Sequence, residues 1–217
     1  MVRMKSLTQN QIGFTIVELM VATMVFSSII LVITFGVLQF SNSYYKGVTS
    51  ANTQNAARNI LESVSGAIQF SGATLGTDVT NPPFKTFCFG GTQYNYVMSK
   101  MRDASTPHVL YSTPSSGGAC NTSTFGATSR DLVDNNMRVV KFTIKPVAGS
   151  TSLYVVSVRI AYGADDLLCS PSVSGDCDSS STSTKLGNTD LVCKISTGKQ
   201  FCATSELTAT VQKRIQP

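Results

Sequence analysis

The longest apolar run of the chain lies near its start. No charged residue occurs between Glu18 and Lys46, and the run includes Leu19, Val21, Phe26, Ile29, Ile30, Leu31, Val32, Ile33, Phe35 and Leu38. At about 1.5 Å per residue, a helix of this length crosses a hydrocarbon core of about 30 Å. Arg3 and Lys5 precede the run without any acid, a bias that keeps the N-terminus cytoplasmic and sends the C-terminal bulk outward. The run exceeds the apolar stretch of about 7–15 residues in a cleaved secretory signal, and no small-residue cleavage site follows it. A single-pass span is the expected element.

After Lys46 the pattern becomes amphipathic. Ala57, Ile60, Leu61, Val64, Ala67 and Ile68 recur at helical spacing, with Arg58, Glu62, Ser65 and Gln69 between them. This stripe predicts a helix that continues from the apolar run and rests on a sheet, with Gly72 as its terminator. Beyond it the period changes to two. Val140–Lys145 and Val156–Tyr162 alternate apolar and polar residues around a turn containing Gly149, which reads as an antiparallel hairpin with one wet face. Further strand candidates are Lys85–Phe89, Tyr94–Met98, His108–Tyr111, Leu191–Ile195, Gln200–Ala203 and Leu207–Gln212. The predicted class is α+β: a long N-terminal helix, half transmembrane and half amphipathic, packed on an antiparallel sheet with disulfide-stapled loops. The amphipathic helix spans 46–72 and the β-rich head 73–217.

Composition narrows the function. Charged residues make up 13% of the chain, with one His and no Trp, which leaves little material for catalysis. His108 has no second His beside it, and no Gly-rich phosphate loop or metal-protease helix occurs. A non-enzymatic protein without cofactor is expected. All six cysteines lie in the head, namely Cys88, Cys120, Cys169, Cys177, Cys193 and Cys202. An even number beyond a membrane-directing segment points to disulfides, and without a Cys-x-x-Cys pair zinc is disfavoured. The segment from Cys193 to Cys202 is symmetric about Thr197-Gly198, so a hairpin turning there brings those two within bridging distance. Cys169–Cys177 is the next favoured pair, at the Ser170–Thr189 low-complexity loop. Cys88–Cys120 remains by elimination, with Cys120 in the second such loop, Ser112–Ser129.

Glu18 is the anomalous residue, a carboxylate at the start of an apolar run, where charge is expensive and marks a functional candidate. Its surroundings, Gly13-Phe14-Thr15-Ile16-Val17-Glu18-Leu19-Met20, resemble the cleavage and methylation motif of type IV prepilins and pseudopilins. The stretch Thr53–Ser63 also resembles, more loosely, the corresponding part of the larger minor pilins and minor pseudopilins. The first resemblance implies cleavage after Gly13 by a membrane prepilin peptidase, removal of 1–13 as a leader, and N-methylation of Phe14. Residues 14–45 would then form the transmembrane and filament-core helix. Glu18, fifth in the mature chain, would offer its charge to the new amine of an adjacent subunit and so set axial register. Many pilins carry a Pro partway along this rod; here Phe35-Gly36 stands instead, at a helical cost of about 1 kcal/mol for Gly relative to Ala.

The family implies other pilin subunits, the peptidase and an inner-membrane assembly platform as partners, with a host or other cell surface as a further one. The function it implies first is a minor pilin of a surface filament serving adhesion, twitching motility or DNA uptake. The protein would sit in the cytoplasmic membrane before assembly and in the filament afterwards. A minor pseudopilin of a type II secretion system is the alternative, and a non-polymerising membrane-anchored binding domain the third. Two minor features bear on ligands. Asp165, Asp166, Asp176 and Asp178 cluster around the 169–177 loop, but their spacing is not that of an EF-hand, and solvated turn acids account for them more simply than calcium. Losing Arg3 and Lys5 with the leader lowers the net charge from +5 to +3, a weak basis for DNA binding. Lys141, Lys145 and Arg159 would share the wet face of the hairpin.

Overall fold

The computed structural model describes residues 13–71, 79–81, 84–89, 91–115, 120, 125–170, 190–194 and 198–214. Two compact units divide the chain, Met1–Ser43 and Tyr44–Pro217. One helix, α1 (Ile16–Phe70), supplies residues to both. It is unbroken at Gly36, whose Cα faces open space. It ends at Phe70; Gly72, the expected terminator, lies outside the described residues.

In the first unit α1 is apolar all round. In the second it buries one stripe, Thr49, Thr53, Ala56, Ala57, Ile60, Val64 and Ile68, so the predicted amphipathic face is present. The two threonines can sit there because their hydroxyls donate back to Tyr45 O and Thr49 O, each at 2.7 Å.

The stripe shares one core with residues from two antiparallel sheets. The first sheet has the order β1-β2-β3-β4-β5, formed by β1 (Val79–Asn81), β2 (Phe84–Phe89), β3 (Thr92–Val97), β4 (Leu110–Pro114) and β5 (Arg130–Asp131). The second takes β6 (Met137–Pro146) and β7 (Leu153–Tyr162), with β10 (Ala203–Gln212) on the other side of β7. A short pair, β8 (Leu168–Cys169) and β9 (Val192–Cys193), stands apart. The α+β arrangement is thus the predicted one, distributed over three sheets. Phe142 anchors the core: its ring lies 5.1 Å from Phe87, 5.5 Å from Tyr96 and 6.4 Å from Tyr94, centroid to centroid. Tyr94 donates its hydroxyl to Ser63 O on α1 at 3.3 Å, which ties helix to sheet. Burial pushes the Tyr94 phenol above its usual range.

The β6–β7 hairpin forms as predicted, with Gly149 at φ 80° in its turn. It also holds a β-bulge between Val139 and Lys141. Above it, a smaller cluster of Val140, Ala161, Leu168, Leu191 and Cys202 gives the opposite face of this sheet a partial cover.

Cys193–Cys202 and Cys88–Cys120 are both bonded, with Cα separations of 5.8 and 5.6 Å. Cys169 is also disulfide-bonded; Cys177, its expected partner, lies outside the described residues. The hairpin expected to carry Cys193–Cys202 is not formed as such. β9 pairs with β8, and Gln200 belongs to a 3₁₀ turn, Lys199–Phe201, instead of the predicted Gln200–Ala203 strand. The turn begins at Gly198, whose φ of 92° would strain any residue with a side chain, and a Cβ there, only 2.8 Å from Leu167 Cδ2, would also push that methyl aside. Strand pairing resumes at Ala203 against Tyr162, so β10 starts four residues before the predicted Leu207. The His108–Tyr111 strand begins instead at Leu110.

Candidate processing and assembly site at the N-terminus

Gly13, Phe14 and Thr15 precede the helix, which begins at Ile16. Thr15 caps it: its Oγ1 accepts the Glu18 N–H at 3.3 Å and its carbonyl accepts the Leu19 N–H at 3.2 Å. The Thr15-x-x-Glu18 spacing is that of a capping box, a helix-start signal that lies within the stretch resembling a prepilin motif. Glu18 thus lies in the first turn, where the helix dipole favours a carboxylate. The Gly13–Phe14 bond lies outside the helix, so its backbone is not tied up in helical hydrogen bonds.

Beyond Glu18, none of the apolar window of α1 is buried. Phe14, Ile16, Phe26, Leu31 and Val32 are all exposed. Covering this rod is worth on the order of tens of kcal/mol, since each large apolar side chain contributes about 1.5–3 kcal/mol on burial. The helix is long and apolar enough to cross a membrane. Its hydroxyls suit an apolar phase as well. Thr23, Ser28 and Thr34 donate to Met20 O, Val25 O and Ile30 O at 2.9, 2.7 and 2.8 Å, so each of these three hydroxyl protons has an acceptor within the helix.

Several of the other residues singled out by sequence have structural partners. His108 stacks on Phe125 with ring centroids 3.4 Å apart, and its Nδ1 lies 3.0 Å from Asp131 Oδ2. Asp131 also meets Arg102, whose remaining nitrogens donate to Pro107 O and Val133 O. A polar groove of about 590 Å³ beside Asn55, Asn59 and Asp134 is lined by this same Arg102. Asp165, from the acidic cluster, pairs with Arg138 at 2.6 Å; Asp176 and Asp178 lie outside the described residues. Among the described residues no group of three His, Cys, Asp or Glu is placed to hold a metal.

On the outer face of the second sheet, Lys141, Arg159 and Glu206 form one row across three strands. Lys141 donates to Glu206 Oε1 at 3.0 Å, Arg159 to Oε2 at 2.9 and 2.5 Å, and Arg159 also meets Asp190 at 3.3 Å. Two of the three cations expected on a basic face are therefore paired. The Lys141 hydrogen bond, followed by that of Arg159, holds the Glu206 carboxyl below its ordinary value of 4.5. A depressed folded-state pKa stabilises above the unfolded value, and this is lost as pH falls through the folded one. Between pH 5 and pH 3, Tm should fall less for Glu206→Gln than for the native protein. The pair is largely solvent-screened, so the difference stays below about 1 kcal/mol. Parallel acid limbs would remove this role.

Comparison with family models, curated proteins and solved structures returns no match for this chain.

Proposed function

We propose that this chain is a type IV pilin-like subunit, processed after Gly13 by prepilin peptidase, methylated at Phe14 and assembled through its apolar helix into a filament. The observation that carries this reading is an uncovered apolar rod with one carboxylate in its first turn, directly after a non-helical Gly13-Phe14 bond. Cleavage there creates an ammonium two residues before the helix start. That is the positive end of the dipole, so the amine gains nothing from its own helix and needs an external anion. Glu18 of a neighbouring rod is the partner this reading assigns. The head, an α+β body with bonded cysteines, suits an oxidising extracytoplasmic side. A minor pilin of a surface filament is the form we favour. A secretion pseudopilin would use the same N-terminus, and recovery in sheared surface filaments separates the two.

Mass spectrometry of the protein from cells with active prepilin peptidase should show methyl-Phe14 as the first residue and no residues 1–13. Gly13→Leu should leave the precursor in the membrane, because a side chain at that position obstructs approach to the scissile backbone. An intact leader on the native protein would sink the assignment.

A further inference from the structure

A second groove, of about 410 Å³, is lined by Lys46, Ser50, Lys194, Lys199 and Thr204, with the Cys193–Cys202 bridge in its wall. Lys194 is unusual within it. The residue is 8% exposed, and its backbone N–H is satisfied by Leu167 O at 2.9 Å. Among the described residues, however, no carboxylate pairs with Lys46, Lys194 or Lys199. With Lys46 and Lys199 lining the same groove, Lys194 gives it a concentration of positive charge. Three ammonium groups and two hydroxyls line this groove and supply the donors from which a phosphodiester accepts.

Position indicates the source of that anion. Lys46 is the first charged residue after the apolar run. Tyr44, Tyr45 and Phe201 are exposed nearby, with the Tyr45 and Phe201 rings 5.6 Å apart. Aromatic side chains with a polar edge collect at headgroup level where a helix leaves a bilayer. We infer that the Lys46–Lys194–Lys199 groove binds the phosphodiester headgroup of an anionic phospholipid. This rests on the reading that the apolar segment spans a membrane.

The test uses the full chain in neutral detergent micelles, with lipid retention followed by native mass spectrometry. Short-chain phosphatidylglycerol should bind at least about tenfold more tightly than short-chain phosphatidylcholine, since only the former carries net charge. Lys194→Met should lose about tenfold or more of that affinity, with thermal melting used to check that the variant is folded. If Lys194→Met misfolds, the exposed pair Lys46→Gln and Lys199→Gln must show the loss instead. Lys145→Gln, a lysine outside the groove, should bind as the native chain does. Equal retention of the two lipids, or native affinity in the folded Lys194→Met chain, overturns the proposal. So does displacement by equimolar inorganic phosphate, which would make the groove a soluble-anion site. Alkaline carbonate extraction of native membranes keeps the two readings distinct. Release of the chain refutes the span itself, whereas retention without lipid selectivity refutes the groove alone.

Discussion

Glu18→Ala should yield a chain that is cleaved and methylated yet enters filaments at a small fraction of the native level. On the proposed reading the peptidase would act on the backbone at Gly13-Phe14, which lies outside the helix, whereas Glu18 lies inside the first turn. Ala is the better helix former, and the Thr15 cap acts on the backbone N–H of residue 18, which the substitution keeps. What goes is the dipole contribution of about 0.3–1 kcal/mol, too little to unfold a helix of this length. In the proposed filament core the loss would be of another order. A neighbouring amine left without its counter-charge costs roughly 3–5 kcal/mol, a factor of hundreds or more in incorporation. Glu18→Asp, with a shorter reach, should fall between Glu18→Ala and native. Glu18→Gln keeps shape without charge and should resemble Ala. The measurement compares the processed chain in membrane and sheared-filament fractions. Native incorporation of Glu18→Ala at an interior position would refute the charge pair. A subunit at the tip, with no amine above it, would escape the penalty.

Phe142→Ala should destabilise the head by about 3–5 kcal/mol. The residue is fully buried, and its ring meets those of Phe87, Tyr94 and Tyr96. Truncation therefore opens a cavity that three large, hydrogen-bonded or stacked neighbours cannot easily fill. Tyr96 donates its hydroxyl to the Phe142 carbonyl at 3.1 Å, and Tyr94 is held to Ser63 O, so neither ring is free to swing inward. Phe84→Ala, on an exposed aromatic of β2, should cost under about 0.5 kcal/mol. Chemical denaturation with the disulfides intact gives both values. Equal midpoints for the two variants would show that Phe142 does not anchor the core.

The sequence displays the core-facing half of this fold more clearly than the other half. The α1 stripe and the hairpin obey simple periods because each turns a single apolar face to one core. In β3 the alternation correctly sends Tyr94 and Tyr96 inward but leads one to expect Gln93 and Asn95 in water. Both are buried, and Asn95 Oδ1 accepts from Gln93 Nε2 at 2.8 Å and from the Thr86 hydroxyl at 2.9 Å. Arg138 likewise reads as a solvent residue. Its side chain is instead enclosed, donating to Gly163 O at 2.8 Å and pairing with Asp165. Hydrogen bonds between neighbouring strands, and contacts such as Arg138 with Gly163, leave no pattern of apolar and polar residues along the chain. β5, β8 and β9 are two residues long, too short to carry any period. At the N-terminus the resemblance marks its residues directly, since the proposed cleavage and charge pairing would depend on residue identity and local spacing. The lysine groove is invisible in sequence, because Lys46 lies far along the chain from Lys194 and Lys199.

The bulge in β6 gives that strand two reading frames. Up to Val139 the odd-numbered residues Met137 and Val139 face the main core; after Lys141 the even-numbered Phe142 and Ile144 do, with Val140 turned to the smaller cluster behind. Substitution within either frame alters one contact. Removing Val140 would merge the two frames into one regular alternation and lose the contact with the smaller cluster, whereas removing or adding a residue within either flank would transpose every side chain beyond it. For this strand, length is a stricter constraint than identity.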